Sequence, residues 1–293
     1  MNITKRAKTV DKIMTAIFYL IAGFFFLLLL AFAGYVIGNG LKGFTPKLLS
    51  FTNEGIGNQL FNTIYLVVLA LLISVPLGVA AGIYMAEYAK KGRFTKFLRI
   101  CIETLSSLPS IVVGLFGYLV FILLVGARWN LMSGALAVSI LNLPLIATTT
   151  EDALRTLPKG YKQGSFGMGA THWQTISKVM LPACLPRIMT GVILAAGRVF
   201  GEAAALLYTA GMSTDINWSR TWKLTSPVSP LNPFRPGETL SLHIWAARTE
   251  ATAANAEQIA NFSAAVLLIL VFAFSITARL LSQRMSKKMT GGK

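Results

Sequence analysis

Long apolar runs alternate with shorter polar connections along the whole of this chain. The runs lie at 13–37, 61–86, 108–125, 131–150, 183–210 and 259–281. Each is close to the ~20 residues that a helix needs to cross the hydrocarbon of a bilayer. The pattern predicts an all-α integral membrane protein with six transmembrane helices. No fixed-period repeat or low-complexity linker divides the runs, so they read as one transmembrane domain over residues 1–293.

Two connections are longer than a bundle requires, and long connections are where function concentrates. Segment 151–182 is studded with Arg155, Lys159, Lys162, His172 and Lys178, yet Phe166, Met168, Trp173, Ile176, Val179 and Met180 approximate a helical period. This predicts a short amphipathic helix lying across one membrane face. Segment 211–258 carries Pro227, Pro230, Pro233 and Pro236 with Trp218, Trp222 and Trp245, and 239–247 reads as a short amphipathic piece. It is either a capping loop or a docking surface for a solute receptor, and the solitary His243 reads as a plain surface residue.

Composition sharpens this picture. The chain is 54% hydrophobic with a net charge of +16, and its mean hydropathy is +0.62, too apolar for a soluble domain. The basic residues flank the apolar runs, which is a topology signal and not the footprint of a nucleic-acid binder. Lys5, Arg6, Lys8 and Lys12 precede the first run, and Arg279, Arg284, Lys287, Lys288 and Lys293 follow the last. Lys90, Lys91, Arg93, Lys96 and Arg99 fall in the second connection, and Arg155, Lys159, Lys162, Lys178 and Arg187 in or beside the fourth. This bias predicts that both termini are cytoplasmic. A signal-peptide reading of the first run, with Ala31-Phe32-Ala33 as its cleavage site, fails because the run is far longer than the 7–15 residues of a signal core. Cys101 and Cys184 have no metal-ligand spacing and are expected to pack near the cytoplasmic face.

The glycines Gly164, Gly167 and Gly169 do not form a phosphate loop, and no GxxxxGK[ST] occurs. The chain is therefore not expected to bind ATP. Gly169-Ala170-Thr171-His172-Trp173-Gln174-Thr175-Ile176, followed by Val179-Met180-Leu181-Pro182, resembles the cytoplasmic "EAA" loop of ABC importer permeases. Gly169, Val179, Leu181 and Pro182 match its spacing, while Gln163, Gly164 and Ser165 stand at the EAA positions in place of the acidic residue and both alanines. Leu108-Pro109-Ser110-Ile111-Val112-Val113-Gly114-Leu115-Phe116, Leu143-Pro144-Leu145-Ile146, Thr149 to Leu154, and Gly201-Glu202 are similar to the PstA-type permeases of phosphate ABC importers. Thr148 stands where an arginine is frequent in that family, which removes one anion contact.

The resemblance implies a type I ABC importer permease fold with a cytoplasmic coupling helix, in the bacterial inner (plasma) membrane. Gln163, Gly164, Ser165, Gly169, Ala170, Thr171, Leu181 and Pro182 would then engage a separate ATPase. It implies a homologous second permease (PstC type), an ATPase dimer (PstB type) that binds ATP and magnesium, an extracytoplasmic phosphate-binding protein (PstS type) and inorganic phosphate. No cofactor is expected in this chain.

Arg198 and Glu202 fall within the fifth apolar run, where a charge in hydrocarbon costs at least ~2.5–3.5 kcal/mol, so both must avoid lipid. In a continuous helix they share a face, with Gly197, Gly201 and Ala205 as a small-residue stripe for close helix packing. A guanidinium suits a tetrahedral oxyanion. Arg198 is the leading transport-path residue, with Glu202 expected to position it, and Ser110 and Asn142 as further path candidates. A purely structural intramembrane ion pair is the competing reading. Pro109 with Gly114 and Gly117 is expected to mark a bent helix packed on a partner. The competing functions are a permease for another oxyanion (sulfate, molybdate or phosphonate), a free-standing carrier, which the coupling-type loop argues against, and a phosphate-sensing membrane scaffold.

Overall fold

The computed structural model describes residues 2–289, apart from 43, 53–54, 91, 214, 220–221, 225 and 251–254; the side chains of residues 2–5 and 286–289 are not described either. The flanking residues Lys5, Lys91, Lys287, Lys288 and Lys293 thus lie outside the described side chains or residues. The described chain is helical throughout. Its helices are α1 (Asn2–Leu41), α2 (Gly57–Ile83), α3 (Arg93–Ser107), α4 (Ser110–Gly117), α5 (Leu131–Arg155), α6 (Lys159–Gly167), α7 (His172–Thr175), α8 (Leu181–Gly201), α9 (Ala204–Thr209), α10 (Leu240–Thr249) and α11 (Ala256–Met289). Wider π turns extend α2 over Tyr84–Tyr88 and α4 over Tyr118–Leu124, and join α7 to α8 over Ile176–Met180.

Five helical stretches are long and apolar enough to cross a membrane, and α3 with α4 makes a sixth if the pair is counted as one span. Helices occupy each of the six apolar runs of the sequence. The bend expected at Pro109 is present, with α3 and α4 meeting at 102°; what differs is the segment before it. Leu108 is extended, as a residue preceding proline must be, and Pro109 cannot donate into a continuing helix. Residues 93–107, read from sequence as connection, instead form an amphipathic helix with no buried residue.

The core is built on α2 and α5. Ser139 Oγ donates to the carbonyl of Ala70, and a Cβ at Gly82 would lie 2.5 Å from Thr150 Cβ and 2.7 Å from the Ala147 carbonyl oxygen. The two helices therefore run in the same direction at backbone contact. Leu66, Val67, Leu131, Val138, Val199, Phe200 and Leu206 fill the centre around them. A second cluster, Ile83, Leu154, Ile176, Met180 and Ile188, roots the α6–α7 segment. By contrast, the apolar stretch of α1 is wholly unburied within the chain, with Phe24, Phe25, Phe26 and Leu27 all about 60% exposed. Only membrane or another subunit can satisfy such a surface.

Segment 211–240 is a fastened cap. Successive residues of the first two turns of α2 hold it: Asn58 Oδ1 accepts from Trp218 Nε1 (2.8 Å), Gln59 Nε2 donates to Glu238 (3.0 Å), and Asn62 Nδ2 donates to the Glu238 carbonyl (3.0 Å). Thr63 Oγ1 accepts from the Leu240 amide and Tyr65 donates to the Leu231 carbonyl. His243 is not a plain surface residue. Its side chain is 20% exposed, and Nδ1 lies 3.0 Å from Glu238 Oε2. Arg235 is the largest fully buried side chain, at 2% exposure.

Candidate functional site

The first site element is the segment between α5 and α8. Lys159–Gly167 forms α6, the chain reverses at Gly169 with φ +81°, and Thr171 opens α7 with a capping box, its hydroxyl accepting from the Gln174 amide while Gln174 Oε1 accepts from the Thr171 amide. The positive φ is a region L side chains rarely adopt, so glycine is required at the turn. The expected single helix is thus a short helix, a tight turn and a second short helix. Its apolar positions divide: Ile176 and Met180 point into the core, while Met168 (90% exposed), Trp173 (58%) and Phe166 (41%) project outward.

Gln163, Gly164 and Gly169 are exposed at this tip, and Ser165 is held by a 2.9 Å hydroxyl contact with Thr175. Ala170 and Thr171 follow at the turn, and Leu181 and Pro182 begin α8. Ser165, Met168, Gly169, Ala170, Gln174 and Val179 line a cavity of about 580 Å³. Glu87, at the end of α2, braces the segment from behind. Its Oε2 meets Lys162 Nζ at 2.5 Å and His172 Nε2 at 3.0 Å. Sequence reasoning missed Glu87, whose only signal was an acidic residue just beyond an apolar run.

The second element is the fifth run, where the structure corrects three expectations. The helix is not continuous: α8 stops at Gly201, Glu202 is extended (φ −74°, ψ 121°), and α9 starts afresh at Ala204. Arg198 and Glu202 therefore do not pair, and among the described residues no carboxylate lies within ion-pair distance of Arg198. Glu202 is buried, its Oε1 accepts from the Ala205 amide (3.1 Å), and its carbonyl accepts from Ser241 Oγ (2.6 Å). It caps α9 and does not position the arginine.

The small-residue stripe is split as well. Ala205 is buried, in backbone contact with Gly114 as the bent-helix expectation required, but Gly197 and Gly201 have open space where a Cβ would stand. Finally, Asn142 is fully enclosed and lines no open surface of this chain. Both its side-chain polar atoms lack a partner, as does buried Ser74 Oγ on α2. Ser110 is half-exposed at the start of α4, directly after the bend.

Arg198 itself is half-buried and makes one long hydrogen bond, from Nη1 to the Leu141 carbonyl at 3.4 Å. A guanidinium has five N–H donors. Most of its capacity is therefore unspent, next to the open strip of Gly197 and Gly201.

Residues 78–290 match the family described as "Binding-protein-dependent transport system inner membrane component". The chain is 44% identical to the probable ABC transporter permease protein YqgI of Bacillus subtilis over 290 residues, covering 97% of this chain and 98% of that protein. It is 32% identical to the phosphate transport system permease protein PstA of Haemophilus influenzae, over 72% of this chain and 77% of that one. Among solved structures, a chain of a bacterial alginate ABC transporter in complex with an alginate-bound periplasmic protein shares the fold, with a TM-score of 0.67 at 15% identity over 94% of this chain and 95% of that chain.

Proposed function

This chain belongs to the family of binding-protein-dependent transport system inner membrane components, the permease subunits of ABC importers, and we propose that the solute it passes is inorganic phosphate. As a member of that family it is a membrane subunit and not itself an enzyme; ATP is hydrolysed by a separate subunit. In the proposed complex a second permease completes the path, two ATPase subunits bind ATP and magnesium, and a phosphate-binding protein delivers the anion. The tip formed by Gly164 to Thr171, with Met168 and Trp173 outermost, is the surface for the ATPase. Both chain termini lie on that same, cytoplasmic side.

The observation that carries the phosphate reading is Arg198. It is an intramembrane cation with unspent donors and no carboxylate partner among the described residues, beside Gly197 and Gly201, where no described residue comes within 4 Å of an added Cβ. Such a group favours an anion, and its bidentate geometry suits a tetrahedral oxyanion. Sulfate, molybdate or phosphonate would suit the same guanidinium, and the likeness to proteins named PstA favours phosphate. Ser110, half-exposed at the bend, is a second candidate for the path.

The test is phosphate uptake into vesicles holding the assembled complex. Arg198→Ala should lower uptake at least about tenfold while leaving assembly intact, with Arg198→Lys retaining a fraction, because an ammonium keeps the charge and loses the fork. Uptake by Arg198→Ala equal to that of the unaltered complex would remove Arg198 from the path.

A further inference from the structure

At the end of the bundle that carries the α6–α7 segment, α3 and the last turn of α5 border a cavity of about 540 Å³ lined by Ala89, Gly92, Arg93, Thr95, Lys96, Arg99 and Arg155. Four of these seven are cations. The one carboxylate bound to them is Glu151, whose Oε1 is shared by Arg99 Nη2 (2.7 Å) and Arg155 Nε (2.9 Å). Arg155 spends Nη2 on the Met85 carbonyl. Among the described residues neither Arg93 nor Lys96 meets an acid, so the cavity keeps a surplus of positive charge. Gly92, at the cavity, supplies no side-chain cap to the 15-residue α3.

The other edge of α3 says what kind of anion fits. Phe94 and Phe97 are about 60% exposed, and no residue of the helix is buried. Helical spacing puts Arg93, Lys96 and Arg99 along one arc, with Phe94, Phe97 and Cys101 along the adjoining one. The helix stands at 102° to the spanning helix that follows it. A helix with a basic arc and an aromatic arc, turned across the end of a span, lies in the plane of the membrane interface. There the aromatic arc meets acyl chains and the basic arc meets headgroups.

We propose that this cavity binds the phosphate of an anionic phospholipid, with the acyl chains lying over Phe94 and Phe97. Arg93 and Arg99 offer forked donors to the phosphodiester oxygens, Lys96 adds a point charge, and the volume admits a glycerophosphate headgroup and not only a bare ion. Glu151 holds the Arg99 and Arg155 side chains together at the site. This assignment does not depend on which solute the permease carries.

The assembled complex, delipidated and placed in phosphatidylcholine nanodiscs with or without phosphatidylglycerol, is examined by native mass spectrometry for retained phosphatidylglycerol. The unaltered complex should retain it. Arg93→Gln with Lys96→Gln should weaken retention about 30-fold, from the loss of two headgroup-facing charges, while the charge-conserving Arg93→Lys with Lys96→Arg should keep it. Lys47→Gln, at the far end of the bundle, should change nothing. Both substituted residues are exposed and make no bond within the described chain, and thermal unfolding checks that the double variant folds. Equal retention by the unaltered complex and the double variant overturns the assignment, as does equal loss in Lys47→Gln. Release of the lipid by millimolar inorganic phosphate would also overturn it, by identifying the free anion as the ligand.

Discussion

The buried guanidinium of Arg235 is where the cap formed by segment 211–240 can be tested most directly. Its Nε donates to the Ser229 carbonyl (3.0 Å), Nη1 to the Pro236 carbonyl (3.2 Å), and Nη2 to Asn62 Oδ1 (2.7 Å) and the Pro230 carbonyl (3.2 Å). Burial pulls its pKa down to about 10, which leaves it charged at neutral pH. Among the described residues no carboxylate compensates it; three backbone carbonyls and one side-chain amide do. Arg235→Met keeps the apolar stem and orphans Asn62 Oδ1 and the Pro230 and Pro236 carbonyls, while the Ser229 carbonyl keeps the Asn232 amide. Three orphaned buried acceptors at about 1–3 kcal/mol each, part of which water recovers, cost about 3–5 kcal/mol together. At ~1.4 kcal/mol per decade, the cap should open about a hundred- to a few thousandfold more often. Hydrogen exchange reads this at the amides of Gly237, Glu238 and Leu240, which bond to Ala210, Ser213 and Thr63 Oγ1 only when the cap is seated. Arg235→Lys should fall between, since an ammonium cannot span the same acceptors. Unchanged protection at all three amides in Arg235→Met would refute the reasoning, because the cap would then be held by its other contacts alone.

Three further outcomes concern the site. Gly114→Ala would put a Cβ 2.7 Å from Ala205 Cα and 3.1 Å from its carbonyl oxygen, so α4 and α9 must separate. A loss of about 1–3 kcal/mol is expected from overpacking, seen as a lower unfolding temperature. Gly201→Ala enters open space, leaves that temperature unchanged, and reduces co-purification of a second permease if the strip is a subunit contact. Glu87→Gln removes the charge that Lys162 and His172 share. ATP hydrolysis by the complex should persist while solute carried per ATP falls severalfold, and an unchanged ratio would show that α2 does not take part in coupling.

How much of this was legible in the sequence depends on the range of the interaction that decides each feature. The spanning helices were legible because length and apolarity are local properties. The bend before α4 was legible for the same reason, as Pro109 acts on its immediate neighbour. So was the contact of Gly114 with a partner helix, though not the identity of that partner, the backbone of Ala205. The amphipathic α3 had its signal on the page, with cations three residues apart and aromatics beside them. It was passed over because a basic segment between two spans is the usual mark of a connection.

The break at Glu202 is the opposite case. Arg198 and Glu202 are four apart, and a pair so spaced shares a face only if the helix runs on. Nothing between them forbids that: no proline intervenes, and a glycine inside a span is tolerated. What ends α8 is a pair of substitute hydrogen bonds. The Glu202 carboxylate takes the Ala205 amide, and Ser241, at the start of α10, supplies a hydroxyl to the Glu202 carbonyl. A side chain that offers the backbone such an alternative competes with the helix, but here the alternative is complete only when residue 241 is in place. Ser241 in turn is held there by a cap fastened to α2 through Asn62, Thr63 and Glu238. The conformation of a buried acid in the fifth run thus depends on hydrogen bonds made by the second run and the cap. A reading that moves along the chain in windows of a few turns can place the charges, but it cannot see that they are parted. The parting leaves Arg198 without the acid that would have neutralised it, which is the condition the proposed anion contact requires.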